Sequence, residues 1–252
     1  MPTLNTQVAE GIAQVQLNRP EVRNAINLEM VREMTALLES LAARDDVRAL
    51  VLSGAGGKAF ASGADIAELR ERTHREALLA INAGIFQKLE DFPRPTIAAI
   101  EGYALGGGLE LALACDVRVG TREAKVGLPE ATLGIFPGAG GTWRLPRLVG
   151  LGRAKELVFT GRILSGEEAY AIGLFERLCE PGEAVRSAVE MAKEMIKNAP
   201  LALQVAKTVL NAVAKGLEPS PLERLGQGLL FDSAEKRERM TAFLARRAKK
   251  DS

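Results

Sequence analysis

A single histidine, His74, occurs in the 252 residues. Any Ser-His-Asp or Cys-His system would rest on it. His74 opens a helical pattern with Arg72 and Arg75 beside it and reads as a surface residue, and no G-x-S-x-G turn accompanies it. Cysteine is almost as scarce. Cys115 and Cys179 both sit in apolar segments and read as small core residues, not as a redox pair. With no spaced Cys/His cluster, no zinc site is expected. Neither sign of charge dominates: 33 Lys plus Arg face 32 Asp plus Glu, for a formal net charge of +1. Such a balance exerts no global pull on nucleic acid or an anionic membrane, so any anion site has to be local. No run approaches the roughly 18 apolar residues that span a bilayer. The start, MPTLNTQVAEGIAQVQLNRP, lacks a basic segment followed by an apolar one and does not read as a signal peptide. These absences point to a soluble protein in a reducing, cytoplasmic compartment. Nucleotide loops are missing as well. No G-x-x-x-x-G-K-[ST] occurs, and a G-x-G-x-x-G count from Gly106 ends on Leu111.

What is present suits a globular protein with a sizeable core: 47% hydrophobic and 26% charged residues. TQVAEGIAQVQLN alternates around Gly11 and predicts a hairpin. NLEMVREMTALLESLAARDD predicts a helix capped by Asn27, with Glu29 and Glu33 early. VRALVLSGAG, TIAAIEG and DVRVG predict strands, the first two running into glycine loops. HREALLAINAGIFQKLEDFPRP predicts one amphipathic helix, stopped by Pro93 and Pro95. Strand, glycine loop and helix thus recur, which predicts an α/β layered core. AKELVFTG, SGEEAYAIG and EAVRSAVEMAKEMIKNAP predict helices. Near residue 197 the pattern turns all-helical, punctuated by Pro200, Pro219 and Pro221, so a core over 1–197 and a helical region over 198–252 are expected. The last twenty residues carry a basic excess: Lys236, Arg237, Arg239, Arg246, Arg247, Lys249 and Lys250 against Glu235, Glu238 and Asp251. Cations suit a helix C-terminus; a phosphate-binding rim is the alternative.

The chemistry concentrates in GYALGGGLELALACD. Gly106, Gly107 and Gly108 open an apolar run that holds one carboxylate, Glu110. A glycine turn opening a helix exposes amides without intrahelical acceptors, and these favour an anion or a developing oxyanion. Glu110 follows Gly107 by three residues and shares its helix face. Burial raises a carboxyl pKa toward the range a general acid or base needs. A glutamate satisfied by a backbone or arginine partner is the competing reading. A second carboxylate, Glu130, follows Pro129, which can start a short helix. Gly134, Pro137, Gly138, Gly140 and Gly141 form a tight loop behind it. Two such carboxylates can divide acid and base roles. A third element, Ala61-Ser62-Gly63-Ala64, has only small side chains, so its backbone can approach a ligand, and the Ser62 amide is a candidate second donor. Ser62 as a nucleophile has no visible base.

AFASGADI, PTIAAIEGYALGGGLELALACDVRV, LPEATLGIFPGAGGTWRLPRLVG and AKELVFTGRILSGEEAYAIGL resemble the enoyl-CoA hydratase/isomerase (crotonase) superfamily, and the likeness runs from LNRPEVRNAIN to MTAFLARR. The resemblance implies an α/β, crotonase-like ββα spiral core with a C-terminal all-helical trimerisation region, assembled as a homotrimer or a dimer of trimers. It implies an acyl-CoA thioester substrate, with no metal or other cofactor. It places the Ser62 and Gly107 amides in an oxyanion hole, where the family usually has alanine at the first position. It sets Ala64, Asp65 and Ile66 against the adenine of CoA. Further substrate contacts would come from Ala61, Gly63, Gly106, Pro129, Leu133, Pro137 and Gly138. Glu110 and Glu130 match the two glutamates of hydrating members, whereas many isomerases lack one. The implied activity is syn addition of water to trans-2-enoyl-CoA, in fatty-acid or branched-chain amino-acid breakdown. Glu130 is taken as the proton donor and Glu110 as the base, an order the sequence does not fix. Isomerisation and RNA binding are the alternatives. ALGGGLELALACDVRV is especially similar to the methylglutaconyl-CoA hydratase branch, some of which binds RNA through a lysine-rich helix. The matching helix here, from Asn27, has no lysine, so no nucleic-acid partner is expected. One departure stands at Arg239, where the family's E-G-x-x-A-F has glycine.

Overall fold

Alternation in LNTQVA and IAQVQL yields two antiparallel strands, β1 (Leu4–Ala9) and β2 (Ile12–Leu17). A two-residue turn, Glu10-Gly11, joins them with φ 51° and 79°, the left-handed pair that matches strand twist. This computed structural model describes residues 2–248, so Lys249, Lys250 and Asp251 of the basic tail lie outside the described residues. The predicted first helix is α1 (Leu28–Ala42). Asn27 caps it, accepting from the Met30 amide at 2.9 Å, and Met30, Val31, Met34, Leu38 and Leu41 form its buried stripe.

The chain then winds in a repeating unit. β3 (Ala49–Gly54) and β4 (Ala59–Ala61) lead to α2 (Ile66–Glu71), α3 (His74–Leu78) and α4 (Ile81–Glu90). β5 (Thr96–Ile100) and β6 (Tyr103–Leu105) lead to α5 (Gly107–Ala114). β7 (Val117–Thr121) and β8 (Lys125–Gly127) lead to a 3-10 turn at Pro129–Leu133 and to α6 (Gly141–Val149). Next come α7 (Leu151–Thr160), β9 (Leu164–Ser165), α8 (Gly166–Ala171), β10 (Arg177–Cys179) and α9 (Ala184–Met195). Each turn of this ββα spiral gives one strand to a six-stranded sheet, ordered β1-β2-β3-β5-β7-β10, and one to a four-stranded sheet, ordered β4-β6-β8-β9. Because β4, β6 and β8 are parallel, they all end at one edge of the small sheet. Ligand sites of α/β proteins collect at the carboxyl ends of parallel strands. Ser62, Gly106 and Leu128 leave that edge.

One expectation needs correction. The single helix from His74 to the prolines is two helices, α3 and α4, broken at Ala80, whose φ of 48° is left-handed. Leu78 and Leu79 supplied helical periodicity but are exposed, whereas α4 buries Ile85, Phe86 and Leu89. Only α4 is held by the core, and tertiary packing decides where the helix starts.

The chain divides into two compact units, Met1–Met195 and Ile196–Ser252, against the sequence-based boundary near 197. The second consists of α10 (Pro200–Ala214), α11 (Pro219–Phe231) and α12 (Ala234–Ala248), none of which buries a residue. Within it, Arg239 pairs with Glu235 at 2.9 Å and donates to the Lys197 carbonyl at 3.0 Å. No helix among the described residues is long and apolar enough to cross a membrane.

Candidate active site

Seven of the eight residues of GGLELALA are buried, so α5 is apolar on every side and runs through the core. It lies directly on β4: a Cβ on Gly108 would meet the Ala61 carbonyl oxygen at 2.1 Å. That contact fixes the first turn of α5 beside the end of β4. Glu110, 3% exposed, projects from this turn. Its Oε1 accepts two backbone bonds, from the Ala139 and Gly141 amides, both at 2.8 Å. The loop that supplies these amides is itself held from beneath. Arg144 donates to the Ala139 carbonyl at 3.1 Å and to Glu90 of α4 at 2.6 Å. Gly140 adopts φ 118° above it, where a Cβ would lie 2.0 Å from Arg144 Nη1. Burial pushes the Glu110 carboxyl above its ordinary pKa, while the two amides and the Arg144 charge pull it back.

Glu130 is arranged differently. Pro129 starts its 3-10 turn, and the side chain is 8% exposed. Neither carboxyl oxygen has a hydrogen-bond partner among the described residues. Burial raises its pKa from 4.5 to about 7, opposed by its own backbone amide and helped by the charge of Glu110. The glycine at 106 makes room for it, since a Cβ there would sit 3.2 Å from Glu130 Oε1. Both glutamates line one cavity of about 320 Å³.

The amides at this cavity correct one assignment. The Ser62 amide already donates to the Arg23 carbonyl at 3.0 Å, so it is not available as an oxyanion donor. Two residues on, the Ala64 amide has no acceptor among the described residues. It lies 3.3 Å from the Cβ position of Gly107, whose own amide opens α5 without an intrahelical acceptor. Ala64 and Gly107 both line the cavity, so the chain offers a pair of free amides there, built from Gly107 and Ala64.

Of the other expected residues, Ser62, Gly63, Ile66 and Gly106 line the cavity on the amide side, and Pro129, Leu133 and Gly138 on the glutamate side. Ala61, Asp65 and Pro137 do not line it. Ala61 is fully buried in β4 beneath α5. Asp65 caps α2 through the Ala67 amide at 3.2 Å and pairs with Arg19 at 3.1 Å. Pro137 packs behind Gly141, 2.8 Å from its Cβ position. The sequence reading missed Leu69, Arg72, Glu76, Asn82, Ile135 and Phe136 in the lining. For Ile135 and Phe136 a signal existed: two large apolar residues inside a glycine-proline loop with no periodic partner.

Comparison with known proteins places the chain in a family. Residues 7–250 match the pattern of the family described as enoyl-CoA hydratase/isomerase. The short-chain-enoyl-CoA hydratase of Clostridium acetobutylicum is 38% identical over 243 residues, covering 94% of this chain and 92% of that one. The crotonyl-CoA hydratase of Syntrophomonas wolfei is 37% identical over 245 residues, covering 94% and 93%. Among solved structures, an enoyl-CoA hydratase from Bacillus anthracis superposes with a TM-score of 0.92 at 34% identity, covering 97% of this chain and 96% of that one. The chain therefore belongs to the enoyl-CoA hydratase/isomerase family, and its core is a crotonase-type ββα spiral.

Proposed function

We propose that this chain is an enoyl-CoA hydratase, a carbon–oxygen lyase that adds water reversibly to a trans-2-enoyl-CoA and yields the 3-hydroxyacyl-CoA. One observation carries the reading: an unpartnered carboxyl with a pKa of about 7 shares a single cavity with a second carboxyl fixed by two amides, and with two free amides. The thioester oxygen accepts from the Ala64 and Gly107 amides. Glu110, held by Ala139 and Gly141, takes a proton from water as the water oxygen bonds to C3. Electron density moves through C2 onto the thioester oxygen, where the two amides bind the enolate-like transition state more tightly than the substrate. Glu130, protonated near neutrality, then gives its proton to C2. Turnover leaves Glu110 protonated and Glu130 ionised, and proton exchange through solvent returns the proton from Glu110 to Glu130 before the next cycle; charge development on the thioester oxygen is met by the two amides. Shuttling a proton along a chain needs one carboxyl; the second, on a separate element, favours water addition over isomerisation. The test is crotonyl-CoA, whose conjugated absorbance falls on hydration. Unchanged absorbance together with turnover of a 3-enoyl-CoA would reverse the reading in favour of an isomerase.

Gly107→Pro removes one amide, and its Cβ would also press on the Ala64 amide at 3.3 Å. Proline is accepted at the first helical position, where the missing N–H has no intrahelical role. The expected result is a kcat lower by about 10²–10³-fold with the helical content retained by circular dichroism. An unchanged kcat would remove this amide from the reaction.

The same proposal extends to assembly and compartment. α10–α12 leave Leu225, Leu229, Phe231, Met240, Phe243 and Leu244 exposed, an apolar surface that supports a homotrimer or a dimer of trimers. A monomeric mass by light scattering would oppose it. A cytoplasmic setting and a role in fatty-acid breakdown belong to the same proposal, to be checked by cell fractionation.

A further inference from the structure

Four buried side-chain atoms among the described residues lack a hydrogen-bond partner: both carboxyl oxygens of Glu130, Thr121 Oγ1 and Asn82 Oδ1. Glu130 and Asn82 line the same cavity, so three of these four atoms belong to it. For Glu130 the reaction itself supplies an explanation. Nothing in the reaction uses Asn82.

Asn82 sits in the first turn of α4, two residues past the left-handed Ala80. The cavity wall from this part of the chain, α2 to α4, includes Arg72 and Glu76 with Asn82. The 3-10 turn contributes Leu133 with Glu130, the loop after it Ile135 and Phe136, and α5 Glu110. Among the described residues Arg72 meets the charges of Glu68, at 4.0 Å, and of Glu76, and its side chain is 18% exposed. Glu76 is engaged by the Thr73 amide at 2.8 Å and the Thr73 hydroxyl at 2.9 Å. The wall therefore presents an acceptor without a donor, Asn82 Oδ1, and a guanidinium with donors to spare.

A plain alkyl chain against this wall satisfies neither group. A carboxylate suits Arg72 but brings no proton for Oδ1, and would need the carboxamide to turn over and offer its N–H instead. A hydroxyl satisfies both, donating to Asn82 and accepting from Arg72. A site built to bond a substrate hydroxyl discriminates against the analogue without one, because its own polar groups are then left unpaired. We propose that Asn82, with Arg72, reads a hydroxyl on the acyl chain, so that the preferred substrates are 2-enoyl thioesters hydroxylated beyond the double bond. This rests on the hydratase reading above.

The experiment compares three 2-enoyl-CoAs of equal length that end in hydroxymethyl, ethyl or carboxylate, each with wild type, Asn82→Leu and Asn82→Ala. The readout is the ratio of kcat/KM for the hydroxylated over the alkyl thioester. A ratio of roughly 3–10 is expected for wild type, one neutral hydrogen bond's worth, collapsing to about one or below in both variants. Asn82→Ala cannot crowd the cavity, so agreement of the two excludes a steric cause. A wild-type ratio at or below one, a preference for the carboxylate, or a ratio unmoved by both variants would overturn the proposal. Calorimetric titration of the saturated thioesters, which cannot react, gives the same ratio as Kd. A protein that hydrates none of the thioesters yet binds the hydroxylated one best would fail the hydratase reading and keep this one.

Discussion

Glu130→Gln lowers kcat for crotonyl-CoA hydration by roughly 10²–10⁴-fold and leaves the fold intact. Glutamine is isosteric and neutral, so it suits a buried site whose carboxyl oxygens have no partner. What it lacks is a proton to give. The pH profile separates this loss from a general disturbance. Burial and the neighbouring Glu110 raise Glu130 to about 7. In the hydration direction the protonated form is active, so the wild-type rate falls as pH rises through about 7. Glu110 works in the opposite sense, since a base has to be ionised, and its raised pKa sets the acid limb. Glu130→Gln removes the alkaline limb and keeps the acid one. In dehydration the requirements invert, with Glu130 ionised and Glu110 protonated. A variant with full hydration activity, or one that retains the alkaline limb, would dismiss Glu130 as the acid.

Stability carries the same signature. The folded pKa of Glu130 lies above its ordinary 4.5, so folding favours the protonated form. That contribution is complete below about 4.5 and is lost as pH rises to about 7. Glu130→Gln cannot ionise, so across this window its unfolding midpoint declines less than that of wild type.

The glutamates, the Asn27 cap, the first hairpin and the strands of the large sheet were legible because each carries a local signal. An acid inside an apolar run, a capping side chain, and alternation over six residues all survive without tertiary knowledge. The small sheet was not legible in this way. β4, β6 and β8 have three residues each, too few to alternate, and AFA, YAL and KVG read as extensions of glycine loops. Yet their parallel ends gather the site, so its assembly came into view only through the resemblance. The Ser62 assignment failed for a related reason. Which amide in Ser62-Gly63-Ala64 is free depends on where the Arg23 carbonyl lies, and Arg23 arrives from a distant turn with a left-handed φ of 54°. Beyond Ile66, the lining from α2 and α3 was missed because these helices bury nothing, and periodicity reports burial, not contact with a ligand.

Arg144→Met is expected to cost roughly 3–5 kcal/mol of stability, read as a lower urea midpoint. The Arg144 side chain is 6% exposed and that of Glu90 is 11%, and their charges meet at 2.6 Å. Methionine fills much of the space but leaves the Glu90 carboxylate buried without the guanidinium it faces. Activity should fall too, through geometry. Arg144 anchors the Ala139 carbonyl, and the amide of the same residue fixes Glu110. A third effect is electrostatic: the Arg144 charge lowers the pKa of Glu110, so its removal raises that pKa and moves the acid limb of the profile to higher pH. The second substitution Glu90→Leu tells these effects apart. Discharging the buried carboxylate should recover much of the lost stability, because replacing a buried ion pair with apolar groups is often close to neutral. It should not return the acid limb to its original position, because that shift comes from the Arg144 charge acting on Glu110. Recovery of both together would mean that Arg144 reaches the catalytic carboxyl only through packing; recovery of the midpoint alone makes it an electrostatic positioning residue for Glu110.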